Sequence, residues 1–538
     1  MNRLRITMGQ IDFVVGRIEG NRDRMIEILK VARDQQVDLV IFPELSLSGY
    51  PPEDLLLRKD FLDRIDLALD EIARATPGIT AIIGFPERKA GELFNSAAIL
   101  QHGRKVQTYQ KRLLPNYGVF DEKRYFKEGA SPCVFEIDQL KIGLTLCEDI
   151  WHEGPVEASV AEGANLIISL NASPFHSGKL EERHQLIKAR AIAHQIPIVY
   201  LNLVGGQDEL VFDGASFAMD SYGALQFQAP EFKESIETIE IESQPMPHIL
   251  PASLTPPLNE EARIYEALVT GIRDYVRKNG FQGAVLGLSG GIDSALTLAL
   301  AADALGPDQV EVILMPSRYT ADMSNEDARL EAEALGCMMH TIPIEPAFKT
   351  FLAMLAPAFE GRPADLTEEN IQARCRGILL MALSNKKGKI LLTTGNKSEM
   401  SVGYATLYGD MAGGFAPLKD IPKLLVYRLS HYRNTLSPVI PERVLTRAPS
   451  AELRPDQRDE DSLPPYPILD DILERYIERD QSITDIIAAG LPEQDVRRVA
   501  RMVDRNEYKR RQAPPGVKVT PRAFGRDRRY PMTHGFSH

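Results

Sequence analysis

Apolar and polar positions alternate on two different periods along this chain. From about residue 3 to 225, short β-branched runs take turns with longer segments of helical spacing. LRITMGQI (4–11), VDLVIF (37–42), ITAIIGF (79–85), KIGLTLC (141–147), NLIISLN (165–171) and IPIVYLN (196–202) read as strands. Several are almost continuously apolar, the pattern of strands buried on both faces. Between the first two lies NRDRMIEILKVARDQQ, whose Met25, Ile28, Leu29 and Ala32 repeat at helical spacing. Strands alternating with helices predict a layered α/β domain.

The alternation breaks at residues 229–260, a proline-rich and acidic stretch with weak periodicity, and its second half reads as a linker. The predicted organisation is a first domain over 1–245, a linker over 246–260 and a second domain over 261–538. The second domain opens on a helix, with Ile264, Leu268, Ile272 and Val276 on one face and Asn279-Gly280 as its stop. GAVLGLS (283–289), VEVILMP (310–316) and KILLTTGN (389–396) then form a second strand–helix series. Two irregular stretches interrupt it, at 356–370 and at 446–467. Loops of this length inside a compact domain are expected to be lids or binding loops; the segments near Glu369 and Pro455 are the candidates. The basic run 507–531 reads most simply as a solvated tail.

Composition narrows the function. A chain of 538 residues exceeds one ordinary core. The net charge of −13 argues against a nucleic-acid partner. No apolar run approaches the roughly 18 residues that span a bilayer, and MNRLRITMGQIDF shows no apolar signal-peptide core. The cysteines, Cys133, Cys147, Cys337 and Cys375, form no CxxC pair. Neither a zinc site nor a disulfide framework is expected; a reducing cytoplasm is. Cys133, Cys337 and Cys375 are expected to be small buried hydrophobes.

The sharpest chemical signal is LGLSGGIDS (286–294). An apolar strand ends in Ser-Gly-Gly and opens a helix, so backbone N–H groups and the helix N-terminus converge on an anion. The glycines permit close approach of phosphate. No lysine follows them, so this is not a Walker loop. Gly287, Leu288, Ser289, Gly290, Gly291, Ile292, Asp293 and Ser294 are the expected phosphate cradle, with Asp293 available to magnesium. SGGIDS resembles the PP-loop of the ATP pyrophosphatases. MPSRYTADMS (315–324) and LLTTGNKSEMSVGYATLYGDMAGGFAPLKDIPK (391–423) resemble the NAD synthetases. The resemblance implies a doubly wound parallel sheet and adenylation of the carboxylate of deamido-NAD by ATP, with ammonia then displacing AMP. It implies ATP contacts at Thr394, Lys419 and Ser450. It implies deamido-NAD contacts at Asn370, Arg374, Glu399, Asp410 and Lys509, and Mg2+ held by Asp293 and Glu399.

In the first half, Cys147 closes an apolar strand in LTLCEDIW. A thiol needs a nearby base or cation to react at neutral pH. FPELSLSGY offers Glu44 and YQKRLLPNYGVFDEKRYF offers Lys111, each just past a strand. The three stretches resemble the nitrilase, or carbon–nitrogen hydrolase, superfamily. That resemblance implies an α-β-β-α sandwich with Glu44 as general base, Lys111 as oxyanion stabiliser, Cys147 as nucleophile and Glu122 in support. It offers Tyr117, Phe120, Glu148, Ser173 and Lys179 for L-glutamine. The fusion of the two halves is similar to the glutamine-dependent NAD synthetases, which implies a homo-oligomeric ligase of the cytoplasm. The rival readings are a tRNA-modifying PP-loop enzyme, a non-catalytic binding module, and a synthetase that uses free ammonia alone. The acidic charge disfavours the first and the intact Glu44, Lys111 and Cys147 disfavour the second. Labelled glutamine decides the third.

Overall fold

The computed structural model describes residues 3–243, 246–450, 452–454, 457 and 459–536. The chain divides into two compact units, Met1–Leu258 and Asn259–His538.

The first unit holds two large sheets. One has seven strands in the order His248–Ile249, Ser235–Glu242, Arg3–Gln10, Leu39–Ile41, Thr80–Lys89, Glu92–Gln101 and Arg104–Gln110. The other has six, in the order Leu225–Gln228, Phe217–Met219, Ile198–Asn202, Leu166–Asn171, Leu140–Leu146 and Val134–Ile137. The period of two explains the continuously apolar strands. Ile6, Met8, Ile82 and Ile99 of the first sheet meet Leu144, Leu146, Ile168 and Leu201 of the second in one core. The alternate residues Ala81, Ile83 and Ala98 face outward, against Met25, Ile28 and Leu29 of helix Ile18–Asp34 and Ile65 and Leu69 of helix Lys59–Arg74. On the other side Ile167 and Ile198 pack on Val156 of helix Glu153–Ala161 and Ile187 of helix Lys179–His194. The result is a four-layer α-β-β-α sandwich.

The acidic stretch after residue 229 is more ordered than its composition suggests. Strand Ser235–Glu242 pairs antiparallel with Arg3–Gln10 along its full length, and Ile239 and Ile241 are buried. Much of the expected linker also belongs to the first unit. His248–Ile249 extends the sheet, Thr255 N donates to Gln228 O at 3.1 Å, and Leu258 N donates to Glu231 Oε1 at 2.9 Å.

The second unit is built on a parallel sheet in the order Met338–Thr341, Val310–Leu314, Ala284–Gly287 and Ile390–Leu391. Val285 and Ile313 face helix Leu366–Lys387 through Leu380 and Leu383. Their neighbours Leu286 and Val312 are buried on the opposite face. The first strand of this series lies between the second and the last. Such a reversal leaves a crevice beyond the carboxyl ends of the strands, where ligands bind in open α/β sheets. Helices Tyr466–Leu473, Ile483–Ala488 and Glu493–Arg505 close around a separate core that includes Leu469, Ile486 and Val499.

Two expectations change. The stretch 356–370 is not a long loop: helix Glu345–Phe359 and helix Leu366–Lys387 leave only 360–365 irregular, and Glu369 is helical. An Asp365–Glu368 capping box starts the second helix, a local signal that the charged composition obscured. Pro455 lies outside the described residues. The basic run at the C-terminus is not a solvated tail either. Val517 and Val519 are buried, Lys518 pairs with Asp527 at 2.7 Å, and Asp420 accepts from the N–H groups of Val519 and Thr520 at 2.8 and 2.7 Å.

Candidate active sites

In the first unit Cys147 caps the strand Leu140–Leu146 and precedes the short helix Glu148–Trp151. Its φ of 43° and ψ of −94° are costly for a residue with a side chain. The turn is held from both sides: Cys147 N donates to Leu170 O at 3.0 Å, and Ile150 N to Cys147 O at 3.2 Å. Glu44 leaves its own strand in a turn laid against Gly84. A Cβ on Gly84 would lie 2.4 Å from Leu45 N and from Pro43 O, so only glycine lets the Glu44 turn lie so close. Lys111 follows the edge strand Arg104–Gln110, with its N–H on Asn95 O at 2.8 Å.

These side chains converge in a buried centre. Lys111 Nζ donates to Glu44 Oε1 at 2.7 Å and to both oxygens of Glu122 at 2.9 Å. Glu44 also accepts from Asn95 Nδ2 at 2.8 Å and from Ala172 N at 3.0 Å, and Glu122 accepts from Tyr50 OH at 3.1 Å. Lys111 and Glu44 are fully buried. Burial works against the Lys111 charge, but Glu122 and Glu44 outweigh it and hold the ammonium well above its ordinary range. Burial pushes the Cys147 thiol up, the Glu44 charge adds to this, and Lys111 opposes it. A resting neutral thiol beside a hydrogen-bonded carboxylate is the arrangement of a nucleophile activated by a base.

The residues expected at glutamine surround this centre. Tyr117 OH donates to Glu148 Oε2 at 2.9 Å, and the Tyr117 and Phe120 rings meet edge-on at 5.6 Å. Lys179 sits 3.8 Å above the centre of the Trp151 ring and bonds Glu182 at 3.0 Å; burial lowers its proton affinity. Ser173 is buried at the end of the strand Leu166–Asn171. One group escaped the sequence reading. Asp149 accepts from Tyr109 OH at 2.7 Å, Leu113 N at 2.9 Å, Leu146 N at 3.1 Å and Arg112 N at 3.2 Å, and so ties the Lys111 segment to the Cys147 turn. Burial pushes its carboxyl up to about 6. It stands two residues past the nucleophile, which is the one signal the sequence offered.

The second unit carries a cavity of about 300 Å3. Its floor is the expected cradle: Gly287, Leu288, Ser289, Gly291, Ile292, Asp293 and Ser294 line it. Gly290 shapes the turn from beneath. Its φ is 78°, and a Cβ there would lie 2.2 Å from Ser324 O. Ser289 Oγ and Ser294 Oγ lie 3.0 Å apart. Thr394, Glu399, Asp410 and Ser450 also line the cavity.

Asp293 and Glu399 are joined by a local device. Asn396 caps helix Lys397–Val402 by accepting from Glu399 N at 3.0 Å, while Glu399 Oε2 accepts from Asn396 N at 3.3 Å. The same Asn396 donates to Asp293 Oδ1 at 2.8 Å. Lys423 spans the pair, bonded to Asp293 and 3.7 Å from Glu399 Oε1. Desolvation, reinforced by the Asp293 charge, pushes Glu399 well above the usual carboxylate range. Asp459 adds a third carboxylate to the lining, with Oδ1 buried and unpartnered. Two hard oxygen donors that repel one another fit a divalent cation. Among the described residues no three His, Cys, Asp or Glu groups gather as a metal site. Magnesium takes one or two carboxylates and fills its shell with phosphate oxygens and water.

Other expected contacts lie off the cavity wall in this chain. Asn370 accepts from Thr406 Oγ1 at 2.9 Å. Arg374 is exposed and donates to Leu407 O at 3.2 Å. Lys509 caps the carbonyls of Gly403 and Ala405 at 2.8 and 3.0 Å. Lys419 is buried in the turn after Ala416, and the lysine that lines the cavity is Lys423, four residues on in the same block. Sequence reasoning also passed over Arg376 and Arg447. Both line the cavity, and Arg447 donates to Gly290 O at 2.9 Å and to Ser324 Oγ at 2.8 Å.

Comparison with known proteins covers both units. The carbon-nitrogen hydrolase family model matches residues 5–246, and the NAD synthase model matches residues 264–513. The glutamine-dependent NAD(+) synthetase of Xanthomonas campestris pv. campestris (strain 8004) is 50% identical, over 99% of this chain and 98% of that one. That of Acinetobacter baylyi is 50% identical, over 100% and 99%. The solved glutamine-dependent NAD+ synthetase from Acinetobacter baumannii, in complex with adenosine diphosphate, matches with a TM-score of 0.82 and 46% identity, over 99% of this chain and 98% of that one. With a sulfhydryl site in one unit and a phosphate cradle in the other, matched over nearly its whole length, the chain belongs to the glutamine-dependent NAD(+) synthetase family.

Proposed function

We propose that this chain converts deamido-NAD to NAD, with ATP as the activating co-substrate and L-glutamine as the nitrogen donor. The observation that carries the reading is the meeting of Glu44, Lys111 and Cys147 in one buried centre of a chain that also holds the Ser289–Ser294 cradle.

Glutamine enters with its side-chain amide beside Cys147. Glu44 takes the thiol proton, and the thiolate attacks the amide carbon. The Lys111 ammonium, already fixed between Glu44 and Glu122, stabilises the oxyanion without reorganising. Glu44 returns the proton to the departing nitrogen, and ammonia leaves. Water then cleaves the thioester to glutamate. Tyr117, Phe120, Glu148, Ser173 and Lys179 surround the rest of the amino acid.

In the second unit the Gly287–Ser294 turn, with Thr394 and Ser450, cradles ATP, and Lys423 and Arg447 supply positive charge for its phosphates. Asp293 and Glu399 would hold Mg2+, which supplies Lewis-acid neutralisation of the leaving pyrophosphate when bound. Asp410 and Glu399 face deamido-NAD, with Asn370, Arg374 and Lys509 bracing the segment 403–407 beside it. The nicotinate carboxylate attacks the α-phosphorus of ATP and expels pyrophosphate. Ammonia attacks the resulting acyl carbon and expels AMP. Amide formation needs this activation because carboxylate oxygen is a poor leaving group.

Among the described residues no helix is long and apolar enough to cross a membrane. Four unpaired cysteines suit a reducing cytoplasm. The test is a reaction of deamido-NAD, ATP and magnesium with amide-labelled glutamine. Mass spectrometry should find labelled NAD, with AMP, pyrophosphate and glutamate in equal amounts. Product formed only from added ammonium salt would leave a synthetase that does not use glutamine.

A further inference from the structure

Beneath the cysteine site lies a buried charged group that the chemistry above does not use. Arg183, on helix Lys179–His194, is 1% exposed, and its partner Asp213 is buried with it. One arm of the guanidinium is spent on charge: Nη1 donates to both Asp213 oxygens at 2.7 and 2.8 Å. The remaining nitrogens turn to the segment 173–174. Nη2 donates to Ser173 O at 2.8 Å and reaches Pro174 O at 3.4 Å, and Nε donates to Ser173 Oγ at 3.3 Å. Asn202 grips the same residue. Its Oδ1 accepts from Ser173 N at 2.9 Å, and its Nδ2 donates to Ser173 O at 3.2 Å and to Asp213 Oδ1 at 3.2 Å. The Ser173 backbone is therefore fixed through both its N–H and its carbonyl.

The hydroxyl is oriented as well as held in place. A guanidinium only donates and stays charged at any working pH. Ser173 Oγ must therefore accept from Arg183 through one lone pair. Its proton and second lone pair are left for the buried Tyr200 hydroxyl beside it and for whatever occupies the site. Of the polar groups on free glutamine apart from the reacting amide, the α-carboxylate accepts and the α-ammonium donates. Lys179 stands one helical turn before Arg183, so the same anchor also sets the residue expected to meet that carboxylate.

We propose that Arg183, braced by Asp213 and Asn202, is a positioning residue that holds the Ser173 hydroxyl to donate to the α-carboxylate of glutamine, and thereby sets amino-acid selectivity. This rests on the reading of Ser173 as a glutamine contact.

The experiment is a double-mutant cycle on the full-length enzyme, read as kcat and KM for glutamine hydrolysis. Arg183→Lys keeps the charge and loses the fork. It should raise KM about tenfold, the scale of one hydrogen bond to a charged group, with kcat much less affected. Ser173→Ala should raise KM similarly, and adding Arg183→Lys to it should change little more. Additive effects, or a KM untouched by Arg183→Lys, would overturn the proposal while leaving Ser173 a glutamine contact. A KM untouched by Ser173→Ala would overturn that contact and the proposal together. A second arm needs no change at Arg183. Glutamine with its α-carboxylate converted to a primary amide should be penalised strongly by the wild type and much less by Ser173→Ala. Equal penalties would show that the hydroxyl does not read the carboxylate.

Discussion

The two sites manage charge in opposite ways. Around Cys147 the protein supplies its own counter-charges. Lys111 lies between Glu44 and Glu122, Asp213 matches Arg183, and Asp149 takes four hydrogen bonds from neighbouring groups. In the second unit Asp293, Glu399 and Asp459 share Lys423 as their nearby cation, in a cavity of about 300 Å3. The difference follows the chemistry. Amide hydrolysis shifts one proton and one oxyanion within a small neutral group, so a prearranged and buried set of charges is sufficient. Adenylation moves a triphosphate, and part of the balancing charge arrives with the substrate and its metal.

The comparison breaks most sharply at the nucleophile. Cys147→Ala should reduce glutamine-driven NAD synthesis by more than about 10³-fold, as loss of a covalent nucleophile does, and retain synthesis from ammonium salt. A variant equally inactive with both donors, yet folded, would mean that the two sites are not chemically independent. At the other site Glu399→Ala should lower synthesis from either donor by roughly 10²–10³, or about 3–4 kcal/mol, while glutamine hydrolysis assayed alone persists. Near-normal synthesis would remove Glu399 from the phosphate chemistry.

The self-contained character of the first site can be read as pH dependence. Asp149 titrates near 3.8 when unfolded and is pushed up to about 6 by burial. The folded state therefore binds the proton more tightly, and stability falls as pH rises from about 4 to 6, by roughly 2–3 kcal/mol, then levels off. Asp149→Asn should remove that slope, as followed by thermal unfolding on either side of the window. An identical slope in the variant would place its origin elsewhere. The smallest effect belongs to the rim. Tyr117→Phe deletes one hydrogen bond to Glu148 and should raise KM for glutamine about fivefold, near 1 kcal/mol. A larger loss, or a fall in kcat, would make Tyr117 more than a rim contact.

Local order was legible in the chain. The strands 4–11 and 141–147 announce themselves because burial on both faces leaves few polar positions, and SGGIDS because a cradle of backbone N–H groups needs glycine at fixed offsets. Asn396 and Glu399 form a capping box across three residues, so their pairing too is written in NKSE. Order set by long-range pairing was not legible. The acidic strand Ser235–Glu242 becomes a strand because Arg3–Gln10 offers it an edge more than 220 residues away. The basic C-terminal run folds because Asp420 and Asp527 neutralise and hold it.

The sequence alone determined which chemistry was present, since nucleophile, base and phosphate turn each require particular residue types inside short motifs. Which charges meet was decided only in three dimensions. Lys423 rather than Lys419 reaches Asp293 because it begins helix Lys423–Leu436 against the site. Arg183 reads in sequence as one more helical arginine, and it meets Ser173 only when Asp213 and Asn202 are folded beside it. A charge is buried at tolerable cost only where partners from distant segments enclose it, and no local pattern records where those partners are.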